Sequence, residues 1–331
     1  MSDTPSPPPR ASVIIPVFNG ERFLAAAVDS ALSQRGVPCE VICVDDGSTD
    51  ASREVLDAFG DRIRVLAQAN AGVSAARNHG AAHATAPYLA FLDQDDLWEP
   101  DFLTTQVSWL DDHPDHPLVH GDSRLVDADG KDHGRRSRYL VRQSDDLFVS
   151  LIAGNFIGIE TILLRADAFH AAAGFDPDLH LMEDWDLWLR LARDHAFGHH
   201  DHQIARYRVH DRNLTHDREP LLAEWADVLT RLADDSNLPE ALRTLVRQQS
   251  HRRRAEQAWH RLRRGDREGA AAIVPPASNI KPLSLRWKIR ALRTVLSLTP
   301  PPIRPAVVRL LPRTRLHGLL PNAGSTESPV P

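Results

Sequence analysis

Three carboxylates fall within four consecutive positions, Asp93, Asp95 and Asp96, in the stretch Phe91-Leu-Asp-Gln-Asp-Asp-Leu97. They follow the apolar run Tyr88 to Leu92, which reads as a buried strand. Like charges packed this closely repel and favour proton uptake unless water or a cation separates them. Hard cations such as Mg²⁺ take oxygen ligands, often only one or two carboxylates completed by substrate phosphates. An Asp-x-Asp spacing in a loop lets one side chain reach the ion while the other reaches another part of the same ligand. The plainer reading is a solvated acidic turn ahead of a helix begun by Pro100.

Four more clusters have types and spacings suited to chemistry. In Val44-Asp-Asp-Gly-Ser-Thr-Asp50, Asp45 and Asp46 close a strand, Gly47 turns the chain, and Ser48 or Thr49 is expected to cap a helix. A carboxylate there can accept from a base N–H or a ribose hydroxyl. In Asn70 to Gly80, Gly72 opens a helix that carries Arg77, and arginine matches phosphate geometry. In Met182 to Arg190, Glu183, Asp184 and Asp186 crowd the first turn of a helix striped with Trp185, Trp188 and Leu189. Acids in a first turn suit the helix dipole; the sharper reading makes Asp184 a general base. In Arg206 to Asn213, His210 can ligate a metal, although one of 17 histidines is more often a surface or packing residue.

The elements that must position these groups alternate. Apolar strands at Ala11–Pro16, Glu40–Val44, Ile63–Ala67 and Tyr88–Leu92 are separated by helical patterns. Strands apolar on both faces predict a parallel sheet covered by helices, whose ligands bind beyond the carboxyl ends of the strands. Every cluster up to Asp96 sits at such an end. Farther on, Leu118 to Lys131 reads as a strand with a turn at Ala128–Gly130, and Thr161–Arg165 and Gln203–His210 as later strands. Cys39 and Cys43 are four apart on one strand face and read as buried, reduced thiols, which suits a cytoplasmic location. No stretch reaches the roughly 18 apolar residues of a membrane span, and the opening Met1 to Arg10 lacks the apolar core of a signal peptide. The P-loop, strand-linked G-x-G-x-x-G, C-x-x-C and H-E-x-x-H patterns are all missing from the sequence.

Taken in order, the segments from Ser12 to Asn213 resemble the family-2 glycosyltransferases, inverting enzymes of the GT-A fold that use nucleotide-diphosphate sugars. The resemblance implies a mostly parallel α/β sheet flanked by helices, with an α-helical C-terminal extension. Together with the composition on either side, this predicts a disordered Pro-rich leader at 1–10, a GT-A domain at 11–218, a basic, mainly helical region at 219–320 and a disordered tail at 321–331. It places Pro16, Val17 and Asn19 against the nucleotide, Asp46 on the base with Asp45 beside it, and Arg77 near the diphosphate. Asp93 is expected on the ribose or metal and Glu183 against the donor. Asp95 and His210 are the expected ligands of Mg²⁺ or Mn²⁺, and Asp184 the expected catalytic base. The implied reaction is metal-dependent, inverting hexosyl transfer from a UDP-sugar, with dTDP and GDP open, to a carbohydrate or lipid-linked hydroxyl in cell-surface polysaccharide or glycolipid assembly. The Q-x-x-R-W motif of the family's polymerising members is absent.

The net charge of −6 conceals a division: from Leu242 onward there are 18 Lys/Arg against 4 Asp/Glu, leaving 21 against 41 in the rest. A basic tail on an acidic body suggests an anionic partner. Leu285, Ile289, Leu292 and Leu296 recur at helical spacing among basic residues, as on a helix lying on anionic lipid. The expected place is therefore the cytoplasm, peripheral on the inner membrane face. Two rival functions are a nucleotidyltransferase acting on sugar phosphates and a nucleic-acid binder using the tail. The first lacks a Gly-rich loop after the first strand. The second lacks a regular aromatic pattern and has an acidic body that repels phosphates, so no nucleic-acid partner is expected.

Overall fold

The structure is a computed structural model that describes residues 7–136, 146–214 and 217–274. The chain divides after Asp211 into two compact units. In the first, four parallel strands run in the order β3 (Arg64–Ala67), β2 (Cys39–Asp45), β1 (Ala11–Val17) and β4 (Tyr88–Phe91). The sheet then continues through β8 (Ile162–Arg165), β6 (Leu118–Asp127), β9 (Gly198–Val209) and β5 (Leu97–Trp98), with β7 (Asp132–Arg135) paired to β6.

The first strands are parallel because each is followed by a helix that returns the chain: α1 (Leu24–Leu32), α2 (Ser52–Asp57) and α3 (Val73–Ala82). The parallel expectation holds through Phe91. Beyond it β8 lies antiparallel between β4 and β6, and only β6 with β9 is parallel. The turn at Ala128–Gly130 joins β6 to β7 as a hairpin, with Gly130 at a φ of 86°.

Every residue of β1 is buried, and its alternation divides the core. Val13 and Ile15 pack with Cys43 against α1 and α4 (Phe102–Asp112), while Ile42 and Val44 pack with Ala76 of α3 on the opposite face. Each such aliphatic side chain contributes roughly 1.5–3 kcal/mol when fully buried. Helix α3 lies flush on the strands because Gly80 faces them: a Cβ there would come within 2.5 Å of Ile14 Cγ2. That fit fixes where Arg77, one turn earlier, points. Cys39 and Cys43 are free thiols packed on one core face, and burial pushes the Cys43 thiol up to about 12.

The rest of the first unit comprises α5 (Leu147–Ala153), α6 (Ala166–Ala171) and α7 (Glu183–Ala192). The second unit contains α8 (Arg218–Asp234), α9 (Glu240–Arg263) and α10 (Arg267–Ile273). Its arginines are largely neutralised within it: Arg264 pairs with Asp217, Arg261 with Glu219, Arg254 with Asp227, Arg252 and Arg253 with Glu256, and Arg247 with Glu240. The sequence at 275–331 holds nine Lys/Arg against Glu327 alone. That stretch and its Leu285–Leu296 stripe lie outside the described residues.

Candidate active site

The carboxyl ends of β1, β2 and β4 form one rim, stitched by side chains of the expected site. Pro16 lies in register with Val44, and Val17 accepts at its carbonyl from the Asp46 N–H at 2.8 Å. Asn19 adopts a left-handed φ of 51° and bonds across the rim. Its Oδ1 accepts from Thr49 N at 2.8 Å, and its own N–H donates to Ser48 Oγ at 3.1 Å. Ser48 and Thr49 therefore serve Asn19 rather than capping α2, whose N-cap is Ala51 without a side-chain bond. The cap expected from sequence is used between strands.

The adjacent Asp45 and Asp46 differ in how fully they are used. Asp46 is buried and accepts from Gln68 Nε2 and Ala71 N at 2.8 Å each and from Gly72 N at 2.9 Å. It fastens the loop before α3 to the end of β2. Asp45 Oδ1 accepts only from Ser48 N, at 3.0 Å, which leaves its other oxygen available. Gly72 starts α3 at a φ of 90° and packs against His180, a conformation that favours glycine.

Arg77 draws three chain segments together. It is 2% exposed, with Nη2 2.6 Å from Asp93 and Nη1 2.5 Å from Glu183. Burial opposes its charge, but the two carboxylates outweigh burial and hold the guanidinium above its ordinary value. The acidic motif after β4 and the acidic first turn of α7 are thus held on either side of one cation. Removing one member of such a buried set typically costs about 3–5 kcal/mol, because a charge is left uncompensated.

The remaining acids stay in conflict. Burial, then the neighbouring Asp95, Glu160 and Asp93, keeps the Asp96 carboxyl well above the usual range. Asp96 Oδ1 accepts from Arg208 N at 2.8 Å, while its buried Oδ2 has no partner. Asp184 starts α7 beside Glu183, anchored by the fully buried Trp185 and Trp188. Burial first and Glu183 second push the Asp184 carboxyl up to about 7; Arg77, the Trp185 N–H and Asn155 pull the other way. A carboxylate poised near neutrality suits proton abstraction at physiological pH.

His210 follows β9 and places Nε2 2.8 Å from Asp95 Oδ2. One carboxylate and one imidazole are a fitting start for Mg²⁺ or Mn²⁺. Among the described residues no group of three or more His, Cys, Asp or Glu forms a full cage. The set therefore fits an ion that takes its other ligands from water and substrate phosphates.

Several residues here carry no single-sequence signal. Gln94, the middle residue of the acidic motif, pairs its amide with both the N–H and the carbonyl of Phe18 at 3.0 Å. Gly20 leaves the room, since a Cβ there would strike the Gln94 amide. The Phe18 ring is 44% exposed at the rim. Arg208 bonds the Asp95 carbonyl at 2.9 Å as well as Asp96, fastening β9 to the acidic loop. Asn155 donates to Asp184 at 3.1 Å.

The family described as Glycosyl transferase family 2 matches residues 12–169. A Rickettsia typhi protein named as an uncharacterized glycosyltransferase is 31% identical over 238 residues, 68% of this chain and 73% of its own. A similar match covers 34% of a Rickettsia bellii relative, so this chain spans about a third of that protein. Among solved structures, residues 1–349 of Staphylococcus aureus TarS in complex with UDP-GlcNAc superpose with a TM-score of 0.61 at 16% identity, over 86% of this chain and 87% of that one. The mannosyltransferase PcManGT from Pyrobaculum calidifontis, in complex with GDP-Man and Mn²⁺, gives 0.55 at 17% identity, over 95% and 86%. At these identities the structural likeness is one of fold.

Proposed function

The chain belongs to glycosyltransferase family 2, and on that premise we propose that its rim transfers a sugar from a nucleotide-diphosphate donor to an acceptor hydroxyl with inversion. The single observation that carries the reading is the Arg77 junction, which sets Asp93 beside Glu183 and so brings the acidic loop to the start of α7. The exposed Phe18 ring offers the base an apolar face. The free oxygen of Asp45 accepts from the base, and Asp46 holds the loop that shapes the pocket. The spare oxygen of Asp93 meets the ribose. Arg77, already engaged twice, serves the donor by holding Asp93 and Glu183 in place rather than by gripping phosphate.

Asp95 and His210 would hold a divalent cation, Mg²⁺ or Mn²⁺, which supplies positive charge for the departing diphosphate. Asp184 takes the proton of the acceptor hydroxyl. That oxygen bonds to the anomeric carbon as the bond to the diphosphate breaks, from the opposite face. A route for the acceptor is the cavity of about 430 Å³ lined by Phe156, Gly158, His120, Ser123 and Arg136, whose Phe156 follows Asn155 in the chain. A carbohydrate or lipid-linked acceptor in cell-surface glycan assembly fits the reading. The domain limits 11–218 and 219–320 belong to the same proposal, as does a peripheral place on an anionic membrane through the basic residues after 274. No helix among the described residues is long and apolar enough to cross a membrane.

The test is a thermal-shift screen of UDP, GDP and dTDP with Mn²⁺. A ligand bound only by the folded chain at about 100 times its Kd stabilises it by about 2.7 kcal/mol. A Tm rise with one nucleotide that vanishes on chelation is expected; no rise with any of the three contradicts the proposal.

A further inference from the structure

Asp184 does not stand alone at the start of α7. Its Oδ1 accepts from the Trp185 N–H at 2.5 Å, and its Oδ2 accepts from Asn155 Nδ2 at 3.1 Å. Asn155 lies just past α5, in the segment that leaves Gly154 in extended backbone. Its amide is oriented by the chain: Oδ1 accepts from Ile157 N at 3.1 Å, so the NH₂ group is the one turned to Asp184. The two segments are cross-braced, since Trp185 Nε1 donates to the Leu151 carbonyl of α5 at 2.8 Å. The residue after the base thus grips the helix that leads into the base's donor.

We propose that Asn155 is a positioning residue that aims the Asp184 carboxylate at the acceptor and favours its charged form. The inference rests on the reading of Asp184 as the base. A donor to one carboxylate oxygen fixes the plane of the group and leaves the outer lone pairs for the incoming hydroxyl. The same bond stabilises the anion and is weaker with the neutral acid. The charged groups acting on Asp184 are Glu183 on its own helix and Arg77 of α3, which in turn holds Asp93 after β4. Glu183 disfavours the anion and Arg77 favours it. Both are locked in the Arg77 junction, so the neutral, directional part of the balance comes from the Trp185 N–H and from Asn155, the side chain of the two.

The test is a ¹³C-carboxyl NMR titration of the full chain, with the Asp184 resonance assigned by its loss in Asp184→Asn. In Asn155→Ala the Asp184 midpoint should rise by about one pH unit, the scale of a lost hydrogen bond to a charged group. Asn155→Asp keeps the turn to Ile157 and sets a second carboxylate against the base; its midpoint for Asp184 should rise further. The second variant keeps the test decisive if the alanine form folds poorly. An unmoved midpoint in a folded variant overturns the positioning role while leaving the base reading intact. Turnover of UDP-GlcNAc or GDP-mannose by Asp184→Asn at the wild-type rate defeats the base reading itself, and the inference with it.

Discussion

The rim of the sheet and the helices α8 to α10 both carry dense charge, yet they handle it in opposite ways. In the helices Asp217, Glu219, Asp227, Glu240 and Glu256 each pair with an arginine. Asp217, Glu219 and Glu240 are held below the usual carboxylate range: Asp217 by Arg264, Glu219 by Gln257 and Arg261 against its own burial, and Glu240 by Arg247 and Arg243. At the rim Asp93, Asp96 and Asp184 are pushed up, burial being the first cause each time. The pH dependence of stability therefore has opposite signs. Acids with depressed values stabilise the fold above their unfolded values, and that contribution is lost as pH falls. Asp184, raised from 3.8 to about 7, makes the folded form bind its proton more tightly, so its contribution is present in acid and is lost as pH rises through about 7. On the proposed function, the charge left in conflict at the rim is completed by a ligand, whereas the charge of the helices is already paired.

The sharpest break of that contrast is Asp184→Asn. Transfer should fall by about 10³-fold, the scale of a general base. The Tm should rise at pH 8, where the wild type carries a half-buried anion beside Glu183, and rise less at pH 5, where both are neutral. Calorimetric melts at the two pH values check this. Next, Arg77→Met should lower stability by about 3–5 kcal/mol in urea titrations by stranding Asp93 and Glu183. Asp95→Ala should remove the Mn²⁺-dependent part of nucleotide affinity, read by calorimetric titration with and without Mn²⁺, with little change in Tm. Gln94→Ala should raise the donor KM about tenfold at nearly constant kcat, on the scale of about 1–1.5 kcal/mol for hydrogen bonds that hold Phe18. Smallest of all, Glu219→Gln in α8 should cost about 1 kcal/mol or less and leave transfer unchanged, because partly exposed ion pairs contribute little.

Much of this was legible in the sequence, and what was not has a physical reason. The alternating apolar runs announce the first four strands, since both faces of β1 and β2 are buried. The acids of the three motifs announce themselves by their density. Periodicity does not say which strand pairs with which, so β8 between β4 and β6 could not be read. Gln94, Asn155 and Arg208 are ordinary residues whose meaning lies in partners far along the chain: Phe18 is 76 positions away, Asp184 29 and Asp96 112. Residue type also does not show that Asp46 accepts three hydrogen bonds where Asp45 accepts one. Charge counts likewise hid that Arg254, Arg261 and Arg264 already have carboxylate partners.

The central claim is that one ligand completes the crowded rim and leaves the helices indifferent. Hydrogen-exchange mass spectrometry of the full chain with UDP, GDP or dTDP plus Mn²⁺ measures this directly. The account predicts protection at 17–20, 45–49, 93–96 and 183–185 together, with α8 to α10 unchanged. Protection confined to α8 to α10, or at only one of the four rim segments, would contradict it.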